Sequence, residues 1–406
     1  MKNKSLTPQI RFKGYEDEWQ YKPLVSIANI YGGLTYSPTN VREHGTFVLR
    51  SSNVKNGQVI NADNVYVETE IVNVQNVEVG DIIMVVRNGS KALIGKHAPV
   101  IKTMPNTVIG AFMSGIRTSQ PFFFNALFDT NSFSAEVDKN SGATINQITG
   151  GMFKQMGFMV PSDEEQAWIG NFFEKLQQSY TDIEREITRL EKMKQASLQK
   201  MFPRPGETTP EIRFDGFTEQ WKKVRLSHIG EVRMCKRILK SQTSKQGEVP
   251  FYKIGTFGKS PDAYITYDLF EEYKRLYSFP KKGDVIISAA GTIGRSVVYD
   301  GQPAYFQDSN LIWLENDNKI VDNTFLATVL PMITWASSST TISRIYNETV
   351  RQTYIIAPSS IEEQKSISRY FRNLDAIISA KRKKLEKLQN LKQSCLDKMF
   401  VNTTAQ

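Results

Sequence analysis

Cysteine is almost missing from this sequence: Cys235 and Cys395 stand alone and far apart, which excludes a disulfide framework. Histidine is nearly as scarce. His44, His97 and His228 do not cluster at metal-ligand spacing, so each is expected to be a surface or internally satisfied polar residue. No apolar run approaches the roughly 18 residues needed to cross a membrane. The opening stretch MKNKSLTPQ lacks the apolar core of a signal peptide, so a cytoplasmic protein is the expectation. There is no G-x-x-x-x-G-K-[ST] loop for ATP, and AAGTIG at Ala289 is too poor in glycine for a dinucleotide fingerprint. Neither Asn-Pro-Pro-Tyr nor Asp-Pro-Pro-Tyr, the amide-and-aromatic motif of methyl transfer to a base, occurs. Catalytic residues, metal and cofactor are therefore expected on other chains.

What is present is length, positive charge and repetition. At 406 residues, 40% hydrophobic and 23% charged, the composition is that of globular domains, two or more of them. The formal net charge of +9 suits a polyanionic partner, with nucleic acid the first candidate.

The repetition is extensive. TPQIRFKGYEDEW at Thr7 returns as TPEIRFDGFTEQW at Thr209, and Gly80-Asp81 in VEVGDIIMVV returns as Gly283-Asp284 in PKKGDVIISA. IGK at Ile94 returns as IGR at Ile293, PSDEEQ at Pro161 as PSSIEEQ at Pro358, and KMF at Lys200 as KMF at Lys398. Matches in one order indicate duplication of a unit of about 200 residues, too long for a solenoid repeat. Each copy begins with short β-rich runs, such as DIIMVV and DVIIS, between Gly, Asn and Ser turns. A long helical stretch follows. Ser162 with Glu165, and Ser360 with Glu363, fit a capping box, and Pro161 and Pro358 end the preceding strand. The expected organisation is a mixed domain over 1–160, a helix over 161–205, a second mixed domain over 206–357, a second helix over 358–402 and a tail over 403–406.

Within the helices, apolar residues are spaced four and three. Ile169, Phe173, Leu176, Tyr180, Ile183, Ile187 and Leu190 form one seam. Ile367, Phe371, Leu374, Ile378, Leu385 and Leu388 repeat it in the same register, with Lys194 and Lys392 interrupting both at the same place. Two helices packed on each other fit this pattern better than two surface helices. After Phe202 only PRPGETTP precedes the second copy, so the second domain starts where the first helix ends, and the second helix must run back. The expected fold is α+β: two homologous mixed α/β domains joined by two long helices that form an antiparallel coiled coil with pseudo-twofold symmetry.

In combination, these motifs resemble the specificity subunit of type I restriction–modification systems, over essentially the whole chain. The features that carry the likeness are GD, then IG, then a Ser/Thr-rich stretch (NSGATINQI from Asn140, SSSTTISRI from Ser337), then P-S-x-E-E-Q or P-S-x-x-E-E-Q opening a helix. The resemblance implies two target-recognition domains, each reading one half of a bipartite double-stranded DNA site, and helices that fix the distance between the halves. It also implies that the subunit is non-catalytic. Two methyltransferase subunits, and two restriction subunits in the full complex, would assemble around it, with S-adenosylmethionine, ATP and Mg²⁺ expected on those partners. A protein-binding coiled-coil scaffold that reads no DNA is the alternative.

Candidate DNA contacts are residues whose side chains match base edges, in loops at matching places of the two copies. In copy one they are Arg50, Ser51 and Asn53, then Arg87, Asn88, Ser90 and Lys91, then Asn146 and Gln147. In copy two they are Lys253 and Thr256, then Thr292 and Arg295, then Gln307 and Asn310, then Arg344 and Asn347. Trp19 and Trp221 are expected to pack the domain entrances rather than touch DNA. One stretch, PDAYITYDLFEEYK, imitates a nuclease motif in which Asp262, Glu272 and Lys274 would converge on Mg²⁺; copy one has no counterpart, which argues for a chance match.

Overall fold

The β-rich runs of both copies become central strands because they are apolar on both faces. The computed structural model describes residues 6–140, 147–335 and 344–401. In it, Ile82–Val85 and Val285–Ser288 are buried along their whole length, as strands covered on both sides must be. The described residues fall into two compact units, one running to Glu186 and resuming at Lys381, the other comprising Ile187–Ala380. Each unit therefore holds one β-rich domain, part of the helix that follows it and part of the other long helix.

In the first unit a four-stranded antiparallel sheet runs in the order Asn29–Gly32, Met113–Arg117, Ile82–Val85, His97–Pro99. Ile83 and Val85 face a second sheet, where Thr46–Leu49 pairs in parallel with Thr107–Ile109, and Phe47, Leu49 and Ile109 fill the layer between. Ile82, Met84 and Ile116 point the other way, into Phe123, Phe124 and Leu127 of the helix Pro121–Phe128. The second unit repeats this. Its main sheet runs Gly230–Met234, Leu311–Asn316, Val285–Ser288, Ser296–Val298. Its smaller sheet keeps the parallel pair, here Val249–Tyr252 with Tyr305–Phe306. Ile286 faces that sheet, while Val285 and Ile287 face the helical side.

Both long helices form as the heptads require, over Asp163–Lys200 and Ile361–Met399. Ile169, Phe173, Ile183, Ile187, Ile367, Phe371, Leu374 and Ile378 are buried, and Leu176, Leu190, Leu385 and Leu388 are half-buried. The pairing is antiparallel within each unit. In the first, Gln389 Nε2 lies 3.3 Å from Tyr180 Oη and Lys392 Nζ 3.2 Å from Gln177 Oε1, so one number falls as the other rises. In the second, Lys194 Nζ donates to Asp375 Oδ1 at 2.5 Å, and the Ser197 and Tyr370 hydroxyls meet at 2.9 Å. The lysines that interrupt the seams are thus spent on carboxylates: Lys392 also reaches Asp129 Oδ2 at 2.8 Å. Gly170 permits a close crossing, since a Cβ there would lie 2.8 Å from the Phe123 amide nitrogen.

The capping boxes form by half, and this corrects the expectation. Ser162 Oγ and Ser360 Oγ accept the N–H of Glu165 and Glu363 at 3.4 and 3.3 Å. The glutamate side chains do not return the bond. Glu165 is fully buried and takes a two-pronged ion pair from Arg11, at 2.7 and 2.8 Å. Glu363 takes the same from Arg213, at 2.6 and 2.7 Å, and also accepts from Trp221 Nε1 at 3.3 Å. An arginine fork satisfies a buried carboxylate better than one backbone N–H, which explains the exchange.

Those arginines belong to the repeated IRF, and the rest of each repeat gathers around them. Phe400 of the second KMF packs edge-on to Trp19 (6.1 Å, 89°) and against Phe123 and Phe173. Phe202 of the first KMF does the same with Trp221 (5.8 Å, 87°), Phe325 and Phe371. Trp19 and Trp221 are each 2% exposed. The backbone agrees: Ile10 donates to Lys398 O and Ile212 to Lys200 O, both at 2.9 Å. Gln166 and Gln364 each donate Nε2 to the carbonyl of the proline before their helix, both at 2.9 Å.

Candidate nucleic-acid interface

The two GD motifs are turns. Asp81 and Asp284 each accept the N–H three residues back, from Glu78 at 2.8 Å and Lys281 at 2.7 Å. The intervening Gly80 and Gly283 take φ of +94° and +93°, a region glycine enters without strain. From these turns the central strands run outward, and each ends in the same set of backbone hydrogen bonds.

In copy one, Val86 donates to Phe112 O at 3.0 Å and accepts from Ile148 N at 2.7 Å, and an isolated bridge joins Arg87 to Gln147. In copy two, Ala289 donates to Asn310 O and accepts from Ile345 N, both at 2.8 Å, and the bridge joins Ala290 to Arg344. The IG motifs close the strand end: Gly95 donates to Val85 O at 2.9 Å and Gly294 to Ser288 O at 3.0 Å. Three separate segments are therefore held side by side at each strand end, with residues 87, 112 and 147 in copy one and 290, 310 and 344 in copy two.

The candidates divide on this frame. Arg87 is exposed, its guanidinium carbon 5.2 Å from the ring centroid of Phe112, and has no ion-pair partner among the described residues. Gln147 is half-buried beside it. Asn88 donates to Ser51 Oγ at 3.4 Å and accepts from Ser90 N at 3.0 Å, which ties the Arg50–Asn53 loop to the same edge. Ser90 and Lys91 are exposed, with Asp138 3.6 Å from Lys91. Arg50 is held by Asp63, through both its carbonyl and its carboxylate at 2.6 Å. Asn53 needs correction as a DNA contact. It has no exposed surface, and its amide is consumed by Arg50 N, Ile60 O, Ala62 O and Asn64 Oδ1, so it shapes the loop. Asn146 lies outside the described residues, as do most of the two Ser/Thr-rich stretches.

In copy two, Arg344 is half-buried and donates to Ser309 O at 3.1 Å, next to half-buried Asn310. Arg295 donates to Phe257 O at 2.9 Å, and Gln307 Oε1 accepts from Ile254 N at 2.9 Å, so both brace neighbouring loops. Thr256 Oγ1 accepts from Lys253 N within its own turn, and Lys253 pairs with Asp262 at 2.8 Å. Thr292 and Asn347 are exposed.

Electrostatics distinguish the copies beneath the frame. Burial pushes the Asp81 carboxyl up, but two hydrogen bonds from Arg117 (2.7 and 2.8 Å), the Tyr31 hydroxyl (2.6 Å) and the Glu78 N–H outweigh it and hold the group below its ordinary range. Among the described residues no cationic side chain is hydrogen-bonded to Asp284. Burial raises its carboxyl, and the Lys281 N–H and Asn323 amide offset that only in part. Half-buried Lys96 is lowered by burial and then by the charge of Lys55, so positive charge is concentrated near the first strand end. The nuclease-like stretch does not converge. Asp262 is taken by Lys253, Lys274 lies 3.5 Å from Glu271, and Glu272 sits two residues from Lys274 on the helix Tyr267–Leu276, where such neighbours do not face each other.

Phe112 was missed by the sequence reading. It is 55% exposed, the aromatic between Gly110-Ala111 and a buried strand. Only the hydrogen-bond frame aligns it with Asn310, because the stretch from the IG glycine to this position is one residue longer in copy one, so counting from IG would match Phe112 to Leu311.

The family model of the type I restriction modification DNA specificity domain matches this chain twice, over residues 16–192 and 218–390. The chain belongs to that family, with its two copies as the two matched domains. A candidate type I restriction enzyme specificity subunit of Haemophilus influenzae is 50% identical over 151 residues, 37% of this chain and 39% of that relative's length. The StySPI type I restriction enzyme specificity subunit of Salmonella potsdam is 25% identical over 94% of this chain and 88% of its own. In fold, the chain is similar to the crystal structure of a type I restriction–modification S subunit from M. genitalium, with a TM-score of 0.66 and 16% identity over 98% of this chain and 100% of that one.

Proposed function

We propose that this chain is the non-catalytic, DNA-reading subunit of a type I restriction–modification complex, each copy reading one half of a bipartite double-stranded site. The observation that carries this reading is a backbone frame whose joining hydrogen bonds and bridge recur in both copies, on which the two copies hold different side chains. A duplicated protein-binding scaffold has no need of that divergence; two unlike half-sites require it. Lys55 and Lys96, which have no ion-pair partner among the described residues, suit a phosphate backbone. Two methyltransferase subunits, and two restriction subunits in the full complex, would supply S-adenosylmethionine, ATP and Mg²⁺ chemistry, and the assembly would act in the cytoplasm. The long helices would set the gap, since a helix of 38 residues spans about 57 Å and does not change length.

The test is affinity for duplex DNA against salt, with the chain assembled with methyltransferase subunits. The expected result is a steep negative slope from counterion release and a residual preference for one sequence. A flat profile would favour the scaffold.

A further inference from the structure

Three positions in each copy lie side by side at the end of the central strand, on backbone that the duplication has kept in its joining bonds. Positions 87, 112 and 147 carry Arg, Phe and Gln; the equivalent positions 290, 310 and 344 carry Ala, Asn and Arg. The bonds that join the three segments recur in both copies, while the side chains they present differ. We infer that these two triplets determine which bases each copy reads, an inference that rests on the DNA-reading function proposed above.

The chemistry assigns roles. Arg87 has no carboxylate to neutralise it among the described residues, and its guanidinium carbon lies over the Phe112 ring, 5.2 Å from the centroid, a contact that favours one placement of the group. A planar, pre-oriented guanidinium is the donor fork for guanine O6 and N7. Phe112, exposed at 55%, offers an apolar face for a thymine methyl, and Gln147 an amide for adenine N6 and N7. In copy two the frame presents Asn310 for adenine and Arg344 for guanine, while Ala290, 7% exposed, removes the bulk that Arg87 supplies in copy one. Arg344 is steadied by Ser309 O instead of by an aromatic ring.

The experiment is selection from a randomised duplex library by the full-length chain assembled with methyltransferase subunits, read by sequencing. The variant Arg87→Ala, Phe112→Asn, Gln147→Arg moves the copy-two triplet onto copy one, and is expected to rewrite one half of the selected motif while leaving the other half and the gap intact. Arg87→Lys keeps the charge and loses the fork; it is expected to reduce preference at one base pair by roughly 10- to 100-fold without changing the salt slope. An unchanged motif in both variants would overturn the inference while leaving DNA reading in place. So would a uniform loss of affinity with a shallower salt slope, which marks a phosphate contact. If the unsubstituted assembly selects no motif at all, it is the DNA-reading function itself that fails.

Discussion

The ion pair between Arg213 and Glu363 offers a quantitative test of what the thirteen-residue repeat does. Arg213 is 14% exposed and Glu363 1%, and the carboxylate holds three hydrogen bonds, two from the arginine and one from Trp221. Arg213→Met leaves that carboxylate buried with the indole as its only hydrogen-bonding side chain among the described residues. Breaking a buried pair from one side costs about 3–5 kcal/mol, because the surviving charge stays dehydrated. Replacing both members, Arg213→Met with Glu363→Leu, removes the charges together and is expected to return to within about 2 kcal/mol of the parent. The remaining cost should be mostly the orphaned indole N–H, about 1 kcal/mol.

Copy one supplies the control. Arg11 and Glu165 make the same fork, but Trp19 Nε1 has no hydrogen-bond partner among the described residues. Arg11→Met with Glu165→Leu should therefore cost about 1 kcal/mol less than its copy-two counterpart. Hydrogen exchange of the first turns of each long helix reads the two sites separately within one chain. A single substitution costing under about 1 kcal/mol, or a double substitution equal to the sum of its singles, would refute the view that the repeat is a clamp between domain entrance and helix start.

Acidification should separate the copies. The lowered Asp81 carboxyl stabilises the fold at neutral pH and loses that contribution as pH falls, whereas raised Asp284 opposes folding at neutral pH and is relieved as pH falls through its folded value. Between pH 7 and about 4 the protection of Val285–Ser288 should therefore rise relative to that of Ile82–Val85, and below about 4 that of Ile82–Val85 should fall; parallel changes in the two strands would contradict the assignment. A permuted chain, opened between Pro203 and Thr208 and joined from Val401 to Leu6 by a short linker, should keep its helix content and stability to within about 1–2 kcal/mol and retain its target. The reason is that Ile10–Lys398 and Ile212–Lys200 are the same contact. Four residues inserted into each long helix should lengthen the tolerated gap by about one or two base pairs, measured by methylated-motif mapping; an unchanged gap would exclude the helices as a ruler.

Duplication made much of this fold legible, because one set of motifs could be checked against the other. GD, IG, the EEQ helix start and KMF each have one structural job and perform it twice, and both seams hold every heptad residue at least half-buried. The capping box was half right for a physical reason: spacing places Glu165 and Glu363 in the first turn, but cannot show that an arginine some 150 residues away competes for the carboxylate and wins. Asn53 failed for the same reason in reverse. Its residue type suits a base edge, but its burial depends on the carbonyls of Ile60 and Ala62 folding back over it, which no local pattern encodes. Phe112 stayed hidden because equivalence at the interface is kept by backbone hydrogen bonds and not by residue type. A surface selected to differ between copies leaves no repeat to find, so the motifs that repeat mark the anchors, and positions made equivalent only by the backbone are where specificity must be sought.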